Sequence, residues 1–240
     1  MPEFLLEKDG DVTTITLNRP DMGNRLSDPM ATQLAEMIES ASKESRLILL
    51  KGAGEDFCLG REGMTQRDNL PEAYVMRGRA EVIFGCYDAF RRSKVPVIGV
   101  VQGRAIGFGC ALAALCDITI AGDKARFQLP EMQHQIMPTI AMSALVDRVP
   151  RKALLYLVYS TEEIDARQAL SIGLVSHVAS VETLEAAVSR FIETLKKFPV
   201  PALMAAKEYA TYAYSMDTQA ANDFAKNLHA TVNSFSGMRK

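Results

Sequence analysis

Two runs constrain this chain more than anything else in it: "RLILLKG" (46–52) and "VPVIGVV" (95–101) are apolar at consecutive positions, not at alternate ones. Strands of that kind are buried on both faces, which requires helices above and below the sheet. The stretch "SDPMATQLAEMIESASK" supplies one such helix, with Met30, Leu34, Met37, Ile38 and Ala41 at helical spacing. Ser27 can accept from the first free N–H groups, and Pro29 suits the initial turn. A second helix is expected over about residues 70–92, with strands over 97–102 and 117–121. At the N-terminus "FLLEK" and "VTTITLN" flank the turn "DGD" and read as a hairpin. Strands alternating with helices place the chain in the α/β class with parallel pairing.

From Ile140 onward the pattern becomes helical, ending in "VETLEAAVSRFIETLKKF" and "PALMAAKEYATYAYSMDTQAANDFAKNLHATV". The segment "FPVPA" separates these two long helices, so a soft boundary near Pro199 divides residues 1–198 from a helical segment 199–240. With 27 basic and 29 acidic side chains in 240 residues, no overall field recruits nucleic acid or an anionic membrane. No apolar run approaches the ~18 residues of a membrane span, and the N-terminus carries no targeting pattern. The four cysteines form no C-x-x-C pair and stand in apolar stretches, the usage of a reduced, cytoplasmic compartment. Three dispersed histidines, His134, His177 and His229, argue against a metal site.

The second apolar run is followed by "GRAIGFGCALAALCD", three glycines in seven residues and then a helix start. Such a turn presents backbone N–H groups with the positive end of a helix dipole behind them. Its spacing is G-x-x-x-G-x-G, not the G-x-G-x-x-G of dinucleotide sites, and no Walker pattern occurs. Taken alone, the glycines more often serve close packing of helix on strand than catalysis. A second glycine segment, "KGAGEDFCLGRE" (51–62), also follows a buried strand. Two N–H donors converging from separate loops would form an oxyanion hole, able to stabilise negative charge on a thioester oxygen.

These segments resemble the crotonase superfamily, the enoyl-CoA hydratases and isomerases. "ITLNRPDMGNRL" is similar to the family's N-R-P-x-x-x-N-x-L turn, "FCLGRE" to its F-S-x-G-x-D loop, "QGRAIGFGCALAALCDITIAGDKARFQLPE" to its second oxyanion loop and P-E segment, and "STEEIDARQALSIGLVSHV" to its T-x-x-E-A-x-x-x-G-L-V element. The resemblance implies a spiral of ββα units followed by helices that pack between subunits, in a homotrimer or dimer of trimers. It assigns the oxyanion N–H groups to Arg61 and Phe108, and implies an acyl-CoA thioester as substrate with no cofactor beyond the CoA it carries. Arg25, Leu26, Glu62, Gly63 and Met64 become candidates for contact with the CoA moiety, and Lys207 for its phosphates. Tyr209, Tyr212 and Tyr214 read as packing or subunit contacts.

Hydratases of this family use two glutamates, and only one is present: the first position holds Ala111, the second Glu131 in "LPEMQ". Syn addition of water needs one group for the nucleophile and another for the α-carbon. A single carboxylate, its pKa raised by burial, more naturally moves one proton between carbons, so isomerisation of a 3-enoyl to a 2-enoyl thioester is expected. Where hydratases have P-G-x-G-G the chain has "MPTIA", and Thr139, Ile140 and Met142 suggest a reshaped acyl pocket. Hydration, decarboxylation, C–C bond chemistry through the same enolate, and non-catalytic acyl-CoA binding are the alternatives. Ser143 and Cys110 have no visible triad around them, which disfavours covalent acyl transfer.

Overall fold

The computed structural model describes residues 2–63 and 71–238. The chain opens on an antiparallel hairpin of β1 (Phe4–Asp9) and β2 (Val12–Leu17). Then α1 (Asp28–Glu44) leads to β3 (Leu47–Gly52), and α2 (Ala73–Arg92) to β4 (Val97–Val101). Next come β5 (Arg104–Ile106), α3 (Phe108–Leu115), β6 (Ile118–Gly122) and β7 (Arg126–Gln128). The remainder runs α4 (Thr139–Leu145), α5 (Arg151–Ser160), β8 (Ile164–Asp165), α6 (Ala166–Ser171), β9 (His177–Ala179), α7 (Leu184–Lys196), α8 (Val200–Tyr212) and α9 (Thr218–Ser234).

The main sheet has the order β1-β2-β3-β4-β6-β9 and is parallel from β2 onward. Its consecutive apolar runs do what both-face burial demands. In β3, Ile48 and Leu50 join the large cluster with α1 and α2, whereas Leu47 and Leu49 face Leu184 and Val188 of α7. In β4, Val97 and Val101 take the first side, Ile98 and Val100 the second. The period of two thus splits one apolar run between two cores. At the start of α1 the Ser27 hydroxyl accepts from the Met30 N–H, as expected of the cap.

Several expectations need correction. A small second sheet, β5-β7-β8, was not anticipated, because strands of two or three residues carry no readable alternation. The strand expected over 117–121 lies one residue later, since the Asp117 carboxylate is instead used to accept the Val97 N–H at 2.7 Å. The helix expected from residue 70 begins, within the described residues, at Ala73; Leu70 lies outside them. The last long helix is two, α8 and α9, because Asp217 caps a new start by accepting from the Ala220 N–H at 2.9 Å. His177 opens β9.

Candidate active site

The two glycine segments meet backbone to backbone. The Cys58 N–H donates to the Arg104 carbonyl at 3.1 Å, and the Ile106 N–H donates to the Cys58 carbonyl at 2.9 Å, a single parallel bridge joining loop to loop. That approach carries the first turn of α3 over the Cys58 carbonyl. A Cβ on Gly109 would lie 2.1 Å from this oxygen, so only glycine fits. Gly107, at φ 54°, turns the chain from β5 into α3.

The geometry also fixes where two N–H groups point. Leu26 donates to the Gly60 carbonyl at 3.1 Å and accepts from the Glu62 N–H at 2.9 Å. Arg61 lies between those two bonds, so its own N–H faces the other way. In the second loop the Gly107 N–H is taken by the Gln128 carbonyl at 2.8 Å, and Phe108 contributes the first orphan N–H of α3. No acceptor among the described residues takes the Arg61 or the Phe108 N–H. Both residues line one cavity of about 960 Å³. The Arg61 side chain is bound elsewhere, its Nε donating to Asp28 Oδ1 at 2.8 Å, so what it offers the cavity is its main chain.

Glu131 opens a 3₁₀ turn, Glu131–His134, directly after Pro130. Its Oε1 would lie 3.1 Å from a Cβ at Gly107, which puts the carboxyl over the turn that ends in the Phe108 N–H. Its Oε2 is buried and has no hydrogen-bond partner among the described residues. Burial pushes the Glu131 pKa above the ordinary carboxylate value, and its own backbone N–H only partly opposes this. The adjacent walls are apolar, from Ile83, Ile136 and Ile140, with Tyr87 stacked on Phe108 at 5.8 Å between ring centroids. Ala111, in α3, is fully buried and offers no second carboxylate.

Of the other expected site residues, Arg25, Glu62 and Gly63 line the cavity. Arg25 is anchored by donating to the Leu59 carbonyl, and Glu62 by an ion pair with Arg19 at 2.7 Å. Leu26 does not line it: the side chain is fully buried in the core, and only its backbone serves, by aligning Arg61. Met64 lies outside the described residues. The expectation for Lys207 is corrected: its ammonium sits inside the protein, 2.7 Å from Asp117 Oδ2 and donating to the Phe90 and Val95 carbonyls at 3.1 Å each, with no donor left for a phosphate. Thr139 and Met142 are not on the cavity wall, whereas Ile140 is. His134 lines the cavity; His229, on α9, pairs with Asn233.

The sequence reading missed Tyr87 and Ile83, because apolar and aromatic residues at helical spacing on α2 read as core. All four cysteines are free and buried, and burial pushes Cys58 and Cys86 up to about 12, which leaves them as unreactive thiols. Among the described residues no helix is long and apolar enough to cross a membrane, and no cluster of three potential metal ligands is found.

Arg61 and Phe108, each with a main-chain N–H that no described residue takes, thus share one cavity with the desolvated Glu131 carboxyl, in a fold also seen in solved enoyl-CoA hydratases. The sequence profile of enoyl-CoA hydratase/isomerase matches residues 7–240, and the chain belongs to that family. It is 32% identical over 224 residues to the 2,3-dehydroadipyl-CoA hydratase of Escherichia coli, spanning 92% of this chain and 86% of that one. A crystal structure of enoyl-CoA hydratase from Mycobacterium smegmatis superimposes with a TM-score of 0.93 at 26% identity, over 99% of this chain and 93% of that one. A Thermobifida fusca protein described as an enoyl-CoA hydratase and solved in complex with CoA gives 0.88 at 26% identity, over 97% and 93%.

Proposed function

We propose that this member of the family isomerises 3-enoyl-CoA thioesters to their 2-enoyl isomers. The observation that carries the reading is the desolvated Glu131 carboxyl beside the Phe108 turn, with Ala111 where a second acid would stand. The thioester carbonyl accepts from the Arg61 and Phe108 N–H groups. Ionised Glu131 removes a proton from C2, and the electron pair passes to the carbonyl oxygen as an enolate held by the two amides. The same carboxyl then returns its proton to C4 as the double bond moves to C2–C3, so nothing is added or lost. Arg25, Glu62 and Gly63 at the cavity mouth are the candidates for CoA contacts.

Mixing the protein with a 3-enoyl-CoA and following the conjugated thioester by absorbance tests this. Activity that disappears in Glu131→Gln with CoA binding retained is the expected result; full turnover in that variant refutes the assignment. The relatives' names favour a second reading, hydration of a 2-enoyl-CoA, which is recognised by a product heavier by one water. A homo-oligomeric state also belongs to the proposal: α9 buries none of its residues within the chain, and Phe235 and Tyr214 are exposed nearby.

A further inference from the structure

Three buried side-chain polar atoms have no hydrogen-bond partner among the described residues, and two of them belong to residues lining this one cavity: Tyr87 Oη and Glu131 Oε2. One is a donor and the other an acceptor. Tyr87 is fully buried on α2, its ring stacked on Phe108 at 5.8 Å and set edge-on to Phe84 at 6.2 Å. Phenylalanine would pack there equally well without burying an unpaired hydroxyl, an arrangement that proteins otherwise avoid. Burial, and then the charges of neighbouring groups including Glu131, push the phenol far above its ordinary pKa, so it stays a neutral donor.

We infer that Tyr87 is a positioning residue for Glu131: in the substrate-loaded site its hydroxyl donates to the Glu131 carboxyl, directly or across one water, and holds the ionised form ready to take the C2 proton. This rests on Glu131 being the proton-transfer group, as proposed above. Ala111 stands in α3 where a second acid would be, and Tyr87 supplies a neutral group beside Glu131 instead.

Other ionisable groups stand around the pair among the described residues. Arg25, Arg61, Glu62 and His134 face the same cavity, and the first three are held by the Leu59 carbonyl, Asp28 and Arg19 respectively. Arg91, near the phenol, donates to the Ser143 carbonyl at 2.7 Å and pairs with Asp88. Cys86 and Cys110 lie close and remain thiols, their pKa values raised by burial. His134 also lines the cavity, so its replacement serves as the control.

The test is the pH dependence of kcat for the full-length protein on the enoyl-CoA it turns over fastest, in wild type, Tyr87→Phe, Glu131→Gln and His134→Asn. Losing a donor to the ionised carboxyl raises its pKa. Tyr87→Phe should therefore move the acid limb of kcat up by about one unit and lower the plateau by about tenfold or more, with KM within about threefold of wild type. His134→Asn should leave the limb in place. The melting temperature of Tyr87→Phe should hold or rise, because an unpaired buried hydroxyl is removed. An unmoved limb in Tyr87→Phe overturns the inference while leaving Glu131 in its role, whether or not the plateau falls. Full activity in Glu131→Gln overturns the proposed function itself.

Discussion

Replacing Lys207 by methionine separates a structural lysine from a ligand-binding one. The ammonium is 2.7 Å from Asp117 Oδ2 and donates to two main-chain carbonyls, Phe90 and Val95, at 3.1 Å each. Its side chain is 6% exposed, and burial pulls its pKa below the ordinary lysine value even against the Asp117 charge. Methionine keeps the stem's apolar packing but leaves two carbonyls and a carboxylate oxygen with one partner fewer. Breaking a buried pair costs about 3–5 kcal/mol. Asp117 is 20% exposed and keeps the Val97 N–H at 2.7 Å, which places this case at the low end, about 3 kcal/mol. For a chain of this size that lowers Tm by about 6–12 °C. Introducing Asp117→Asn first should shrink the cost, because the coupling between two residues in contact is then already removed. Thermal unfolding measures the cost, and a calorimetric titration with CoA should give the wild-type affinity in the folded variant. An unchanged Tm with a tenfold loss of CoA affinity would refute this reasoning and restore the lysine to the ligand.

Other outcomes follow from the same geometry. Glu131→Gln should lower kcat by about 10²- to 10⁴-fold with little change in KM, measured on the preferred enoyl-CoA. Because burial raises the Glu131 pKa and the ionised form is the base, wild-type activity should rise with pH through a value above the usual carboxylate range; a limb within that range would show Glu131 in water. Gly109→Ala drives a Cβ to within 2.1 Å of the Cys58 carbonyl, forcing the two loops apart, so both Tm and kcat should fall. Retained activity there would contradict the stated spacing. Asp56 accepts from the Arg104 N–H and guanidinium at 2.8–3.0 Å; burial resists its ionisation, but these partners outweigh it and hold its pKa below the ordinary 3.8. Its contribution to stability is complete above the unfolded-state pKa and fades as pH falls through the lower folded value. Asp56→Asn should accordingly flatten the acid limb of unfolding free energy against pH.

The parts of this fold that could be read from sequence are those written in side-chain chemistry. The unbroken apolar runs of β3 and β4 announce burial on both faces, Ser27 and Pro29 mark the start of α1, and Pro130 followed by Glu131 sets a charge beside apolar surroundings. What stayed hidden depends on distant segments meeting. The β5-β7-β8 sheet is built from strands too short to show a pattern, and the meeting of the 55–58 main chain with the flanks of β5 depends on Gly103 and Gly109 having no Cβ. Lys207 looks like a surface charge on an amphipathic helix until the Phe90 and Val95 carbonyls are seen beneath it. Tyr87 sits at an ordinary core position of α2, and its unpaired hydroxyl becomes visible only when Glu131 is placed on the wall of the same cavity.

A crystal structure with an unreactive enoyl-CoA analogue tests the site most directly. The analogue's carbonyl oxygen should lie about 2.7–3.1 Å from both the Arg61 and the Phe108 nitrogens, with the Glu131 carboxyl over C2 and C4. A carbonyl bound anywhere else in the cavity, or a Glu131 carboxyl turned away from the acyl chain, would contradict the account.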